Sequence, residues 1–207
     1  WNAIRKTDEG YGTFLPHKHH QEEFKGQGFI QPYADNPLDR ETVGENVYLN
    51  IINSSVNYVY MYTPYLIIDN EMITALCLAA KRGVDVRIVT PSIPDKKVVF
   101  LLTQSYYSQL VDAGIRIYQY TPGFIHAKCF LCDDKIGTVG TINMDFRSLY
   151  LHFENGVFMY KSEALPQLKE DMFRTFEGSQ LITKEMCTGS LPKRLAQSML
   201  RILAPLL

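Results

Sequence analysis

Apolar and polar positions fall into two alternating periods once the chain passes Thr42. Val47, Ile51 and Ile52 are spaced for one face of a helix, and Tyr58 to Tyr65 is rich in the β-branched and aromatic residues of a strand. Helical spacing returns from Asn70 through Ile73, Leu76, Cys77 and Ala80, with Gly83 as the expected stop, and Val84 to Val89 reads as a strand. Lys96 to Ala113 predicts a helix ending at Gly114, followed by a strand over Ile115 to Tyr120. Further strands are expected over Ile125 to Cys132, Lys135 to Thr141 and Phe153 to Tyr160, and helices over Ser162 to Phe176 and Leu191 to Leu203. Strands alternating with helices imply an α/β fold, with a mixed, mostly parallel sheet under covering helices.

Residues 1–41 show neither period. His17, Lys18, His19 and His20, then Gly26, Gly28, Pro32 and Pro37, read as an irregular linker, which leaves 42–207 as the folded domain. The histidines lack a partner motif at ligand spacing, so the cluster reads as solvated linker and no metal is expected. The chain opens at Trp1, not methionine, and reads as an excised or processed piece.

With 46% hydrophobic residues among 207, a sizeable core can close. A net charge of -1 supplies no global basic field, so nucleic acid is not an expected partner. The apolar runs Val98 to Leu102 and Ile202 to Leu207 fall far short of the ~20 residues that cross a bilayer, and the chain reads as soluble. Cys129 and Cys132 lie three apart, on opposite faces of an extended strand, and read with Cys77 and Cys187 as buried thiols. Leu191, Leu195, Met199, Ile202 and Leu206 line one side of the last helix; packing onto the sheet is expected, with a membrane surface as the alternative.

The chemistry gathers in His126-Ala127-Lys128, followed by Asp133 and then Gly140-Thr141-Ile142-Asn143. In a strand, His126 and Lys128 share a face, so an imidazole and an ammonium flank one small volume. Phosphodiester cleavage needs a nucleophile, a proton for the leaving oxygen, and donors around the oxygens that gain charge. Asp133, or a carboxylate from elsewhere, is expected to hold one imidazole nitrogen and set its tautomer. Gly140 offers close backbone approach, Thr141 a hydroxyl and Asn143 an amide N–H to phosphate oxygens. Only one such imidazole is present: His17, His19, His20 and His152 all lack a lysine two residues on.

The stretch HAKCFLCDDKIGTVGTINMDFRS resembles the HKD motif of the phospholipase D superfamily. TPYLIIDNEMITALCLAAKRGVDVRIVTP, SYYSQLVDAGIRIYQYTPGFIHAK, RSLYLHFENG and the terminal RILAPLL narrow the likeness to the C-terminal halves of bacterial cardiolipin synthases. The resemblance implies a phospholipase D-like α/β/α sandwich in which two HKD motifs face each other across a pseudo-twofold axis. It implies transphosphatidylation without a cofactor: a phosphatidyl group passes through a phosphohistidine from one phosphatidylglycerol to another, releasing glycerol and forming cardiolipin.

Carried over by position, His126, Lys128, Asp133, Thr141 and Asn143 form the second half-site, with Glu154 as a supporting carboxylate and His126 as acid and base. Thr141 stands where serine is usual, and His152 where asparagine is frequent. The implied partners are phosphatidylglycerol and cardiolipin headgroups, the N-terminal HKD half, and the cytoplasmic membrane, against which a parent protein would hold this domain on the cytoplasmic side. On this reading the chain alone is inactive as a monomer. The alternative is a single-motif phosphodiesterase or nuclease active as a homodimer, two copies of His126 forming one site.

Overall fold

The computed structural model describes residues 26–38 and 41–206. The elements run β1 (Phe29–Asp35), α1 (Val43–Ser54), β2 (Tyr58–Tyr62), β3 (Leu66–Ile67), α2 (Asn70–Lys81), β4 (Asp85–Pro91), α3 (Lys97–Asp112), β5 (Arg116–Tyr120) and β6 (Cys129–Cys132). They continue with β7 (Ile136–Gly140), β8 (Met144–Asp145), α4 (Phe146–Tyr150), β9 (Glu154–Tyr160), α5 (Ala164–Glu177), β10 (Ser179–Leu181), α6 (Lys184–Cys187) and α7 (Leu191–Leu203). One sheet has the order β1-β9-β7-β6-β2-β4-β5-β10, and β3 pairs with β8 apart from it.

The sheet is mixed, as expected. Its parallel share is the trio β2, β4 and β5, joined by the crossover helices α2 and α3. The neighbours outward from that trio are antiparallel. This share is smaller than the helix–strand alternation suggests, because β6 and β7 join through a tight turn with no crossover helix.

Alternation along β2 divides the interior in two. Val59 and Met61 join Val86, Ile88, Ile117 and Phe130 in a core that also takes side chains of α1, α2 and α3. Tyr58, Tyr60 and Tyr62 join Val89, Leu131, Leu165, Met172 and Phe176 in a second core that includes α5. Helices therefore cover both faces, the expected α/β/α sandwich. Cys129 and Cys132 fall into different cores, as their spacing requires, and burial pushes both thiols up to about 12.

The irregular reading of residues 1–41 fails at β1. This strand pairs with β9 from Phe29–Tyr160 to Asp35–Glu154. It was silent in the hydrophobic pattern because it is an edge strand with most of its side chains in water, where Pro32 is tolerated. Asp35 is buried and accepts the Gly44 N–H at 2.7 Å, tying β1 to the start of α1. His17, His19 and His20 lie outside the described residues.

The packing expected of α7 is reversed. Gln197 donates to the Leu101 carbonyl, Arg201 lies 4.3 Å over the Tyr106 ring, and Leu191, Leu195, Met199 and Ile202 face outward. Leu206 has no described side chain. Among the described residues no helix is long and apolar enough to cross a membrane.

Asp133 is an architectural residue. It and Asp134 have φ of 50° and 57° and form the two-residue turn between β6 and β7, closed by Lys135 N–H to Cys132 O at 3.0 Å. The Asp133 carboxylate then accepts the backbone N–H groups of Val56, Asn57 and Tyr58 at 2.7–2.8 Å, pinning the start of β2. Partial burial pulls its pKa upward, but these N–H bonds outweigh burial and hold the carboxyl below its ordinary value.

A depressed carboxylate stabilises the fold above its unfolded pKa of about 4, and that stabilisation fades as pH falls through the folded value. Asp133→Asn keeps the turn conformation and is expected to cost about 1 kcal/mol at pH 7. Urea unfolding of both proteins from pH 7 down to pH 3 should show the difference shrinking with acid; no difference at pH 7 would contradict this role.

Candidate functional site

The site forms where β2 ends, β6 begins and β7 ends. Cys129 pairs with Tyr62 on one side and Val139 on the other. Gly140 N–H donates to the Lys128 carbonyl at 3.1 Å, extending the ladder one residue past β6 and fixing the lysine backbone. His126 and Lys128 therefore precede the strand, and alternation is not what unites them. They line one cleft of about 580 Å³ together with Tyr62, Thr141, Asn143 and Asp171.

Lys128 is only 9% exposed, and its Nζ donates to the His126 carbonyl at 2.8 Å. This bond folds the ammonium back over the motif. The His126 ring is exposed, stacked on Phe124 at 5.6 Å between centroids and met edge-on by Tyr65 at 6.3 Å. Neither ring was singled out from sequence, since Phe124 and Tyr65 look like ordinary strand or core aromatics.

Gly140 has a different use from the expected approach to phosphate. A Cβ there would lie 2.4 Å from the Asn155 carbonyl and 2.7 Å from the Gly156 Cα, so glycine is required by β9. Beyond it, Thr141 Oγ1 donates to Glu154 Oε2, and Ser148 Oγ donates to Glu154 Oε1 at 2.6 Å. Both Glu154 oxygens are thus engaged by hydroxyls. Ser148 belongs to the motif's continuation, yet its role depends on a turn that brings it back beside Asn143.

Asn143 donates through Nδ2 to Ser148 Oγ at 3.1 Å, and its own N–H donates to the same oxygen. Since the Ser148 proton goes to Glu154, this oxygen can only accept, which fixes the amide orientation. Asn143 Oδ1 is left buried without a partner. An unpaired buried acceptor is costly and calls for a donor such as a hydroxyl or water.

Asp133 does not orient the imidazole, because three backbone N–H groups occupy its carboxylate at the start of β2. His152, the other imidazole nearby, accepts through Nε2 from Arg147 at 3.0 Å and lies 4.0 Å from Glu154 through Nδ1.

Burial and then the Lys128 charge lower the His126 pKa against a smaller upward pull from Asp95. Burial also lowers Lys128, while Glu154 and Asp145 draw it back up. A neutral imidazole beside an ammonium can attack phosphorus or take a hydroxyl proton while the ammonium neutralises a phosphoryl oxygen.

The family profile described as "Cardiolipin synthase, PLD-like domain" matches residues 48–176. The chain belongs to that family. The chain is 46% identical over 208 residues to an uncharacterized protein of Streptococcus mutans, covering all of this chain and 44% of that protein. It is 36% identical over 184 residues to the cardiolipin synthase of Geobacillus kaustophilus, covering 88% of this chain and 37% of that enzyme. The chain thus spans less than half the length of these relatives. In fold it is similar to the phospholipase D family member Nuc of Salmonella typhimurium, with a TM-score of 0.64, 18% identity and coverage of 75% of this chain and 99% of that one. Phosphatidylserine synthase of Haemophilus influenzae gives a TM-score of 0.66 at 16% identity, over 86% of this chain and 45% of the other.

The electrostatic reading has a direct check. In NMR titrations, the His126 ring should protonate at a pH below that of an ordinary histidine, about 6.5. Lys128→Met should move that midpoint upward without restoring it fully, since burial remains. An unchanged midpoint would show that the lysine charge does not reach the ring.

Proposed function

We propose that this PLD-like domain is one catalytic half of a cardiolipin synthase, acting on phosphatidylglycerol through His126, Lys128, Thr141 and Asn143. The observation that carries the proposal is a single imidazole lining a cleft with a nearly buried ammonium, in a chain whose sequence holds one His-x-Lys motif. Two-step phosphatidyl transfer needs two such imidazoles, and a second HKD-bearing domain would supply the other.

In the proposed reaction, the other imidazole attacks phosphorus and the phosphorus–glycerol oxygen bond breaks. A protonated His126 gives its proton to the leaving glycerol. In the second step neutral His126 takes the proton of an acceptor hydroxyl on another phosphatidylglycerol. The new oxygen bonds to phosphorus, the phosphohistidine bond breaks, and cardiolipin leaves. His126 rests in its base form; the negative phosphate, bound beside Lys128, would offset the ammonium that disfavours protonation.

Lys128 would neutralise charge on the phosphoryl oxygens, and Thr141, tied to Glu154, would form the wall of the same cleft. Asn143 lines the same cleft, its Nδ2 held by Ser148 Oγ at 3.1 Å.

The test uses the complete two-motif protein. His126→Ala should lower phosphatidylglycerol turnover by about 10³-fold, within the range for loss of a general acid–base. The variant should still release a burst of p-nitrophenol from a phosphatidyl p-nitrophenol ester, whose leaving group needs no proton. Loss of the burst as well would make His126 the nucleophile, and undiminished turnover with phosphatidylglycerol would overturn the assignment.

A further inference from the structure

Helix α7 is turned inside out for a helix packed on a globular domain. Leu191, Leu195, Met199 and Ile202 recur at spacings of four, four and three residues and share one face, exposed at 70, 59, 68 and 79%. Its polar side does the docking: Lys193 reaches Gln104 at 3.3 Å, Gln197 the Leu101 carbonyl at 3.2 Å, and Arg201 Gln109 at 3.1 Å. No acidic residue occurs from Gly189 to Leu207, whereas Lys193, Arg194 and Arg201 do, in a chain of net charge -1.

The helix also leads to the site. Ala204, at its C-terminal end, lines a hollow of about 190 Å³ with Lys96, Arg147, His152 and Asn143, and Asn143 is shared with the cleft of His126 and Lys128. The C-terminal end of α7 therefore borders the hollow that adjoins the cleft.

We propose that α7 is an interfacial helix that lays its Leu191–Leu195–Met199–Ile202 face into an anionic lipid surface, holding the cleft beside the headgroups on which it acts. The inference rests on the lipid reading of the site. A lipid surface is favoured over a protein partner by charge: Lys193, Arg194 and Arg201 make the helix cationic with no acid among them, Lys193 and Arg201 being held by neutral glutamines on the docked side, and exposed Arg194 can extend to anionic headgroups while the stripe is immersed.

Vesicle flotation of this chain tests it. The protein should float with phosphatidylglycerol-containing vesicles, bind pure phosphatidylcholine more weakly, and lose part of its binding as salt rises. Met199→Asp and Ile202→Gln should each weaken binding roughly tenfold or more, the order expected for withdrawing a large apolar side chain. Their thermal unfolding midpoints should stay at the wild-type value, because both positions are exposed.

Absence of wild-type flotation, or equal flotation of wild type and both variants, would overturn the proposal. So would a wild-type dimer without lipid that Met199→Asp converts to monomer, since the face would then meet a second copy. Flotation needs no turnover, so a complete enzyme that fails to transfer phosphatidyl groups sinks the transferase reading alone. Turnover of detergent-dispersed phosphatidylglycerol without flotation of this chain sinks only the helix.

Discussion

Everything in this domain depends on burying β2 on both faces. All five of its residues are buried, so its odd and even side chains must satisfy separate cores, Val59 and Met61 on one side and three tyrosines on the other. Its neighbours differ in direction, parallel to β4 and antiparallel to β6. The C-terminal end of β2 therefore meets the N-terminal end of β6, and a crevice opens where the sheet changes sense. Open α/β sheets place ligands at such points, beyond the carboxyl ends of parallel strands.

The polar groups at that crevice form two systems. Lys128 is folded back onto the His126 carbonyl, while Glu154 is held by two hydroxyls and serves as the counter-charge felt by the lysine. Holding an ammonium at 9% exposure in this way makes its field on the neighbouring imidazole stronger than water would allow. The aromatic contacts of Phe124 and Tyr65 orient the imidazole without competing for its nitrogens.

Much of this arrangement was legible in the sequence, where burial imposes periodicity. The helices α2 and α3 and the strands β4 and β5 follow from apolar spacing, and Gly83, with φ of 94°, ends α2 as its position suggested. β1 was not legible, because an edge strand with exposed side chains carries no alternation. The outward turn of α7 was hidden for a related reason: amphipathic spacing reveals an apolar face but not which way it points. His126 and Lys128 do line one cleft, but the strand expected to put them on a common face begins only at Cys129, and the segment before it brings them together. Ser148 escaped notice because its partners come from a turn, and Asp133 was misplaced because spacing cannot tell a carboxylate aimed at a ring from one aimed at backbone.

The position of Asp133 changes what the three-letter motif records. Its histidine and lysine face the cleft, whereas its aspartate sits in a hairpin turn and clamps the first residues of the central strand. One motif thus spans two structural tasks, lining the cleft and pinning the start of the central strand. A chain that kept Asp133 while losing His126 and Lys128 would therefore keep the hairpin turn and the clamp on the central strand without the polar groups of the cleft.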